Sequence, residues 1–161
     1  MQNSCIYKIF LYFCGVIKNI KVMEKKKYYT NENESKELIS SGLPEHTADG
    51  WFKSNGGFET EKSNNSVCKS WTTGNLLELL PSCIVVNGDE YTLKHTKTCV
   101  PVDDETTIIE ECVTYCSSYA KLSGDFIGYS TIVDKCSFLE CLVKLVCWVY
   151  SKYPYYAKTL K

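Results

Sequence analysis

Ten cysteines are the residues of this 161-residue chain best suited to chemistry, and their spacing decides which chemistry to expect. Six of them lie between Cys99 and Cys147, in the runs Cys112-x3-Cys116 and Cys136-x4-Cys141-x5-Cys147. A thiol can be a metal ligand, a nucleophile or half of a disulfide, and each use asks for different neighbours. Structural zinc calls for C-x2-C pairs or nearby imidazoles, but the chain has no C-x2-C and its histidines are His46 and His95 alone. A catalytic thiolate calls for an activating imidazole. His95 falls in a strand pattern rich in Thr and Lys, and His46 in the polar run Pro44-Glu45-His46-Thr47. The remaining use is structural. Cys68, Cys83, Cys99, Cys112, Cys116, Cys136, Cys141 and Cys147 are expected to form four bridges, as cysteine-dense secreted domains do.

Other reaction centres leave no trace. There is no G-x-S-x-G, no phosphate-binding G-x-x-x-x-G-K-[ST] and no G-x-G-x-x-G. Asp103-Asp104-Glu105 and Glu110-Glu111 are acidic clusters, which read more simply as the charged first turn of a helix than as a cation site. All 18 basic residues are Lys, so the planar fork that reads phosphate and guanine is absent, and the net charge of −1 gives no pull toward polyanions. No cofactor, no metal and no nucleic acid is expected, and the chain is read as not an enzyme.

The ends of the chain bear on compartment. Ile6 to Ile17 form a mostly apolar run flanked by Lys18, Lys21 and Lys25-Lys26-Lys27, of a length that suits a secretory leader and not a membrane span. Residues 1–22 are therefore read as a leader that removes Cys5 and Cys14 and leaves an even eight. A mis-assigned start, with Met23 or an upstream exon the true beginning, and an uncleaved amphipathic segment lying on a membrane are the alternatives. Residues 23–66 are polar and read as a partly flexible arm, and 67–161 as the cysteine-rich domain. Asn33-Glu34-Ser35 and Asn64-Asn65-Ser66 are sequons, which makes Asn33 and Asn64 glycosylation candidates.

These residues need elements to position them. Glu34 to Ser41 suits a short helix closed by Gly42 and Pro44. Trp51, Phe52 and Phe58 surround Asn55-Gly56-Gly57, which predicts a short hairpin or an aromatic-bearing loop. Thr72 or Thr73 caps a helix that Pro81 stops. Cys83–Val86, the pair Asn87-Gly88 and Asp89–His95 predict a second hairpin, because Asn and Gly accept the positive φ of a type I′ turn. From Asp103 to about Lys121, Ile108, Cys112, Cys116 and Tyr119 share an arc at helical spacing, which predicts a helix. Ser137-x-x-Glu140 is a capping box opening a last helix that is apolar on both sides and ends before Pro154. The expected fold is thus α+β and mainly helical: a disulfide-stapled domain with two C-terminal helices and one β-hairpin. If the two helices run antiparallel, Cys112 pairs with Cys141 and Cys116 with Cys136.

With no reaction centre in view, function falls to the surface. The chain holds 12 Tyr and 3 Trp, and Trp51, Phe52, Tyr153, Tyr155 and Tyr156 are the candidates for exposed binding anchors. The reading is a secreted, non-enzymatic protein that engages an extracellular protein partner. A carrier with an apolar cavity between the last helix and the hairpin is the alternative, and a small hydrolase the third. The cysteine spacing matches no familiar secreted pattern, so no family is inferred from it.

Overall fold

The structure, a computed structural model, describes residues 28–101, 107–117 and 126–159. In chain order the elements are α1 (Glu32–Ser40), β1 (Gly50–Lys53), β2 (Phe58–Glu59), β3 (Ser66–Ser70), α2 (Thr73–Leu79), β4 (Cys83–Val86), β5 (Asp89–Pro101), β6 (Thr107–Ser117), β7 (Phe126–Ser130) and α3 (Phe138–Lys152). They make a three-stranded antiparallel sheet, order β2-β1-β3, and a four-stranded meander, order β4-β5-β6-β7. Strand outweighs helix, 38% to 32%, which corrects the mainly helical expectation.

The error sits in one element. The stretch expected as a helix through Cys112 and Cys116 is β6, paired with β5 from Tyr91↔Ser117 to Pro101↔Thr107 and with β7 from Cys112↔Ser130 to Cys116↔Phe126. Thr107, Ile108, Ile109, Val113 and Thr114 are β-branched, which stiffens χ1 and suits a pleated surface. An arc at helical spacing and an alternation at strand spacing were both present in this run. The alternation governs: Val113 and Tyr115 are fully buried, and Cys112, Thr114 and Cys116, which alternate with them, face the other way. The second strand of the expected hairpin runs on past His95 to Pro101 for the same reason, since β6 gives it a partner. The acidic cluster at 103–105 lies outside the described residues, as do Cys5, Cys14 and the candidate leader.

Where a turn or cap carries its own mechanism, structure and sequence agree. Asn87 (φ +53°) and Gly88 (φ +91°) turn β4 into β5. Thr72 caps α2, its hydroxyl accepting from the Asn75 N–H. Ser137 and Glu140 form a reciprocal capping box on α3. Gly42 (φ +100°) follows α1 in the left-handed conformation that closes helices.

α3 is the centre of the molecule. Leu139, Leu142, Val143, Leu145, Val146 and Val149 are all at least 98% buried, and each such side chain contributes about 1.5–3 kcal/mol by leaving water. The helix meets α1, α2, β6 and β7. Three phenols then secure the connection after α2. Tyr150 donates to the Leu79 carbonyl (2.8 Å), Tyr115 to Pro81 (2.7 Å) and Tyr156 to Cys83 (3.1 Å). Much of the stretch expected to be a loose arm is packed. Leu38 and Leu43 join the core, and buried Thr30, Ser35 and Ser70 satisfy one another through hydroxyl contacts of 2.9 and 3.3 Å. Trp71, wholly buried, donates its indole N–H to Thr47 (3.0 Å).

Candidate functional site

The strand identity of β6 decides where its cysteines go. Because Val113 and Tyr115 face the core, Cys112 and Cys116 stand on the opposite face of the meander, away from α3. Cys112 lies beside Ser130, Glu110 and Thr96, and burial pushes its thiol up to about 11. Cys116 contacts Thr114 at 3.5 Å. The expected pairs Cys112–Cys141 and Cys116–Cys136 are therefore ruled out by the sheet itself. Cys68 on β3 sits against Ser35 of α1, Cys147 on α3 against Ser41, raised by burial to about 11, Cys83 against Glu90, and Cys99 is exposed on the β5–β6 ribbon. All eight described cysteines are free thiols, so the disulfide staple is withdrawn.

One pair nonetheless meets. Cys136 precedes the N-cap Ser137, and Cys141 is the fourth residue of α3. These are the two positions that a hydrophobic staple brings together across a capping box. Their sulfurs are 3.4 Å apart, Cys141 fully buried and Cys136 half-buried. The approach is set by the turn after β7. Asp134 accepts from the Ser130 N–H (2.7 Å), its own N–H returns to the Ser130 carbonyl (2.9 Å), and Lys135 adopts φ +52°. Lys144, two turns into α3, places Nζ 3.7 Å from the Cys136 sulfur and 5.6 Å from the centre of the Tyr129 ring.

The electrostatics separate the two thiols. The Cys141 thiol beside it, then Lys144, hold Cys136 below the ordinary thiol value, against burial and the carboxylates of Glu140 and Asp134. Cys141 is driven upward by the same contact and by burial. Burial pulls Lys144 down, but Cys136 and Asp134 more than reverse this, so its ammonium is held charged. The arrangement is a half-buried thiol whose ionised form is favoured by a cation on one side and by the sulfhydryl of a fully buried second thiol on the other.

The five aromatic candidates divide between two places. Trp51 and Phe52 lie on β1, both half-buried. The Trp51 ring carries the ammonium groups of Lys69 (4.2 Å) and Lys62 (5.1 Å), and Phe52 stands opposite Phe58. Tyr153, Tyr155 and Tyr156 cluster where α3 ends, with ring centroids 4.4 to 6.2 Å apart. Trp148 joins them edge-on to Tyr153 at 5.7 Å; its position one and a half turns before Tyr153 was the signal that could have included it. Tyr155 is 51% exposed.

Asn33, in the first turn of α1, and Asn64, in the turn before β3, are both exposed. His95 stacks on Phe138 at 4.7 Å, on the core-facing side of β5. Among the described residues no group of three or more His, Cys, Asp or Glu is placed to hold a metal ion. No described helix is long and apolar enough to cross a membrane. In comparisons with known proteins, the chain matches no family model, no curated protein and no solved structure.

Proposed function

We propose that this protein acts by binding another protein, without catalysis, through the aromatic cap at the C-terminal end of α3. The observation that carries this is the tyrosine cluster. Tyr153, Tyr155 and Tyr156 brace one another ring against ring, and Tyr155 still offers half its surface to solvent. A held aromatic loses little entropy on contact, and this is what makes such residues effective anchors. Trp51, shared between two lysines, offers a cationic rim in place of an open apolar face. The carrier reading is not favoured, because α3 packs on the meander and Val113, Tyr115, Leu142 and Val146 belong to one buried core cluster. An extracellular site of action belongs to the proposal on the apolar run at 6–17 and the exposed Asn33 and Asn64, and no longer on a disulfide framework.

The test is site-specific photo-cross-linking in the producing organism, with a benzoylphenylalanine at position 155 and, as control, at the equally exposed Val85 (53%). One discrete adduct is expected from position 155, competed by excess unlabelled protein but not by the Tyr153→Ala/Tyr155→Ala variant. Adducts of equal yield and identity from both positions would overturn the proposal.

A further inference from the structure

We propose that Cys136 and Cys141 form a redox-reactive dithiol that undergoes stoichiometric thiol–disulfide exchange with small-molecule disulfides. Three observations on geometry carry it. The sulfurs touch at 3.4 Å, one reachable from solvent and the other wholly buried; Lys144 Nζ stands 3.7 Å from the reachable one; and the capping box fixes both ends of the five-residue interval. The bland account of such a contact is a staple that packs two small side chains. That account leaves the lysine unexplained. An ammonium seated 3.7 Å from a thiol and over an aromatic face, on the side of the helix that also carries Glu140, has its use in stabilising a thiolate.

The step balances as follows. The Cys136 thiolate attacks one sulfur of a disulfide RSSR, forming a mixed disulfide and expelling RS⁻. Cys141 loses its proton to the solvent-borne RS⁻ and attacks the Cys136 sulfur, closing an intramolecular bond and expelling a second RS⁻, which takes up the proton released when Cys136 ionised. Two thiols of the protein are oxidised and one RSSR is reduced to two RSH. The resulting link would be local and reversible, spanning six residues, and would not hold the elements of the fold together. Lys144 is a positioning residue here: it acts on the charge of Cys136 and takes no part in bond making. Glu140 and Asp134 oppose it from the helix and the preceding turn.

The experiment uses the full chain, reduced with dithiothreitol, desalted and exposed to oxidised glutathione, then alkylated and digested with trypsin. Cleavage after Lys135 and Lys144 releases both sulfurs on one peptide, 136–144. Closure reads as that peptide lighter by two hydrogens and unalkylated. It is expected to appear before any other cysteine is modified and to reverse with dithiothreitol. Cys141→Ala should trap glutathione on Cys136, and Lys144→Met, in which both sulfurs fall on the longer peptide 136–152 beside Cys147, should slow the first step about threefold at pH 7, because loss of the ammonium disfavours the thiolate while leaving it somewhat more nucleophilic. Should Cys141→Ala fail to fold, phenylarsine oxide on the wild-type chain gives the second reading, since a trivalent arsenic bridging two adjacent thiols protects only the 136–144 peptide from alkylation. Overturning results are glutathione retained on Cys136 of the wild type without closure, Cys99 or Cys112 reacting first, or no protection by the arsenical.

Discussion

Two cysteine pairs of similar spacing, Cys112-x3-Cys116 and Cys136-x4-Cys141, end in opposite circumstances. On β6 the two thiols are four residues apart on one face of a strand and do not meet, each taken up by hydroxyl groups at its own position. At the head of α3 they are five apart and in contact, because a capping box folds the chain back on itself between them. Spacing along a sequence says little about proximity. What decides it is whether the intervening backbone is extended or turned.

The contrast can be broken most forcefully at Gly128. It lies opposite Thr114 in the β6–β7 pairing, and a side chain there would run into the Val113 carbonyl and the Thr114 backbone. Gly128→Val is expected to cost about 3 kcal/mol in urea unfolding, at the upper end for overpacking; a near-neutral result would mean that β6 is not the strand described. A second prediction separates the thiols by reactivity. At pH 7, Cys136 should react with iodoacetamide about tenfold faster than Cys112. Cys136 is held below the ordinary thiol value while burial pushes Cys112 up to about 11, and the lower intrinsic nucleophilicity of the Cys136 thiolate takes back part of that advantage. The gap should close as pH rises toward 11, where Cys112 ionises. Equal rates at pH 7, measured by peptide mapping, would erase the distinction. The smallest effect concerns the turn. Lys135 is held at φ +52°, a conformation costing a side-chain-bearing residue about 1 kcal/mol that glycine does not incur. Glycine's greater freedom in the unfolded chain returns part of that, so Lys135→Gly should stabilise by about 0.5 kcal/mol. A loss of stability would show that the lysine side chain, and not the backbone, holds the turn.

How much of this was legible follows the same line. Asn87-Gly88, Thr72 and Ser137-x-x-Glu140 could be read because each contains its own local cause, a left-handed tolerance or a hydroxyl aimed at an orphan amide. β6 could not, since its residues satisfy both periodicities and only β5 and β7, distant in sequence, choose between them. The cysteines misled by their number: density suggested a framework of bridges, and the faces on which they stand were invisible until the strand was known. The contact between Cys136 and Cys141 was within reach, since the capping box and its flanking staple positions are a sequence pattern. The tyrosine cluster was half visible, three of its four rings lying in Tyr153-Pro154-Tyr155-Tyr156.

The three phenols that secure the connection after α2 carry an implication for synthesis. Their partners, the carbonyls of Leu79, Pro81 and Cys83, leave the ribosome long before Tyr115, Tyr150 and Tyr156 do. The helix that α1, α2, β6 and β7 all meet likewise follows every one of them along the chain. A nascent chain halted before residue 138 would hold α1 against β3 but leave α2, β6 and β7 without the helix they pack on, so the docking of those elements waits for a segment made after them.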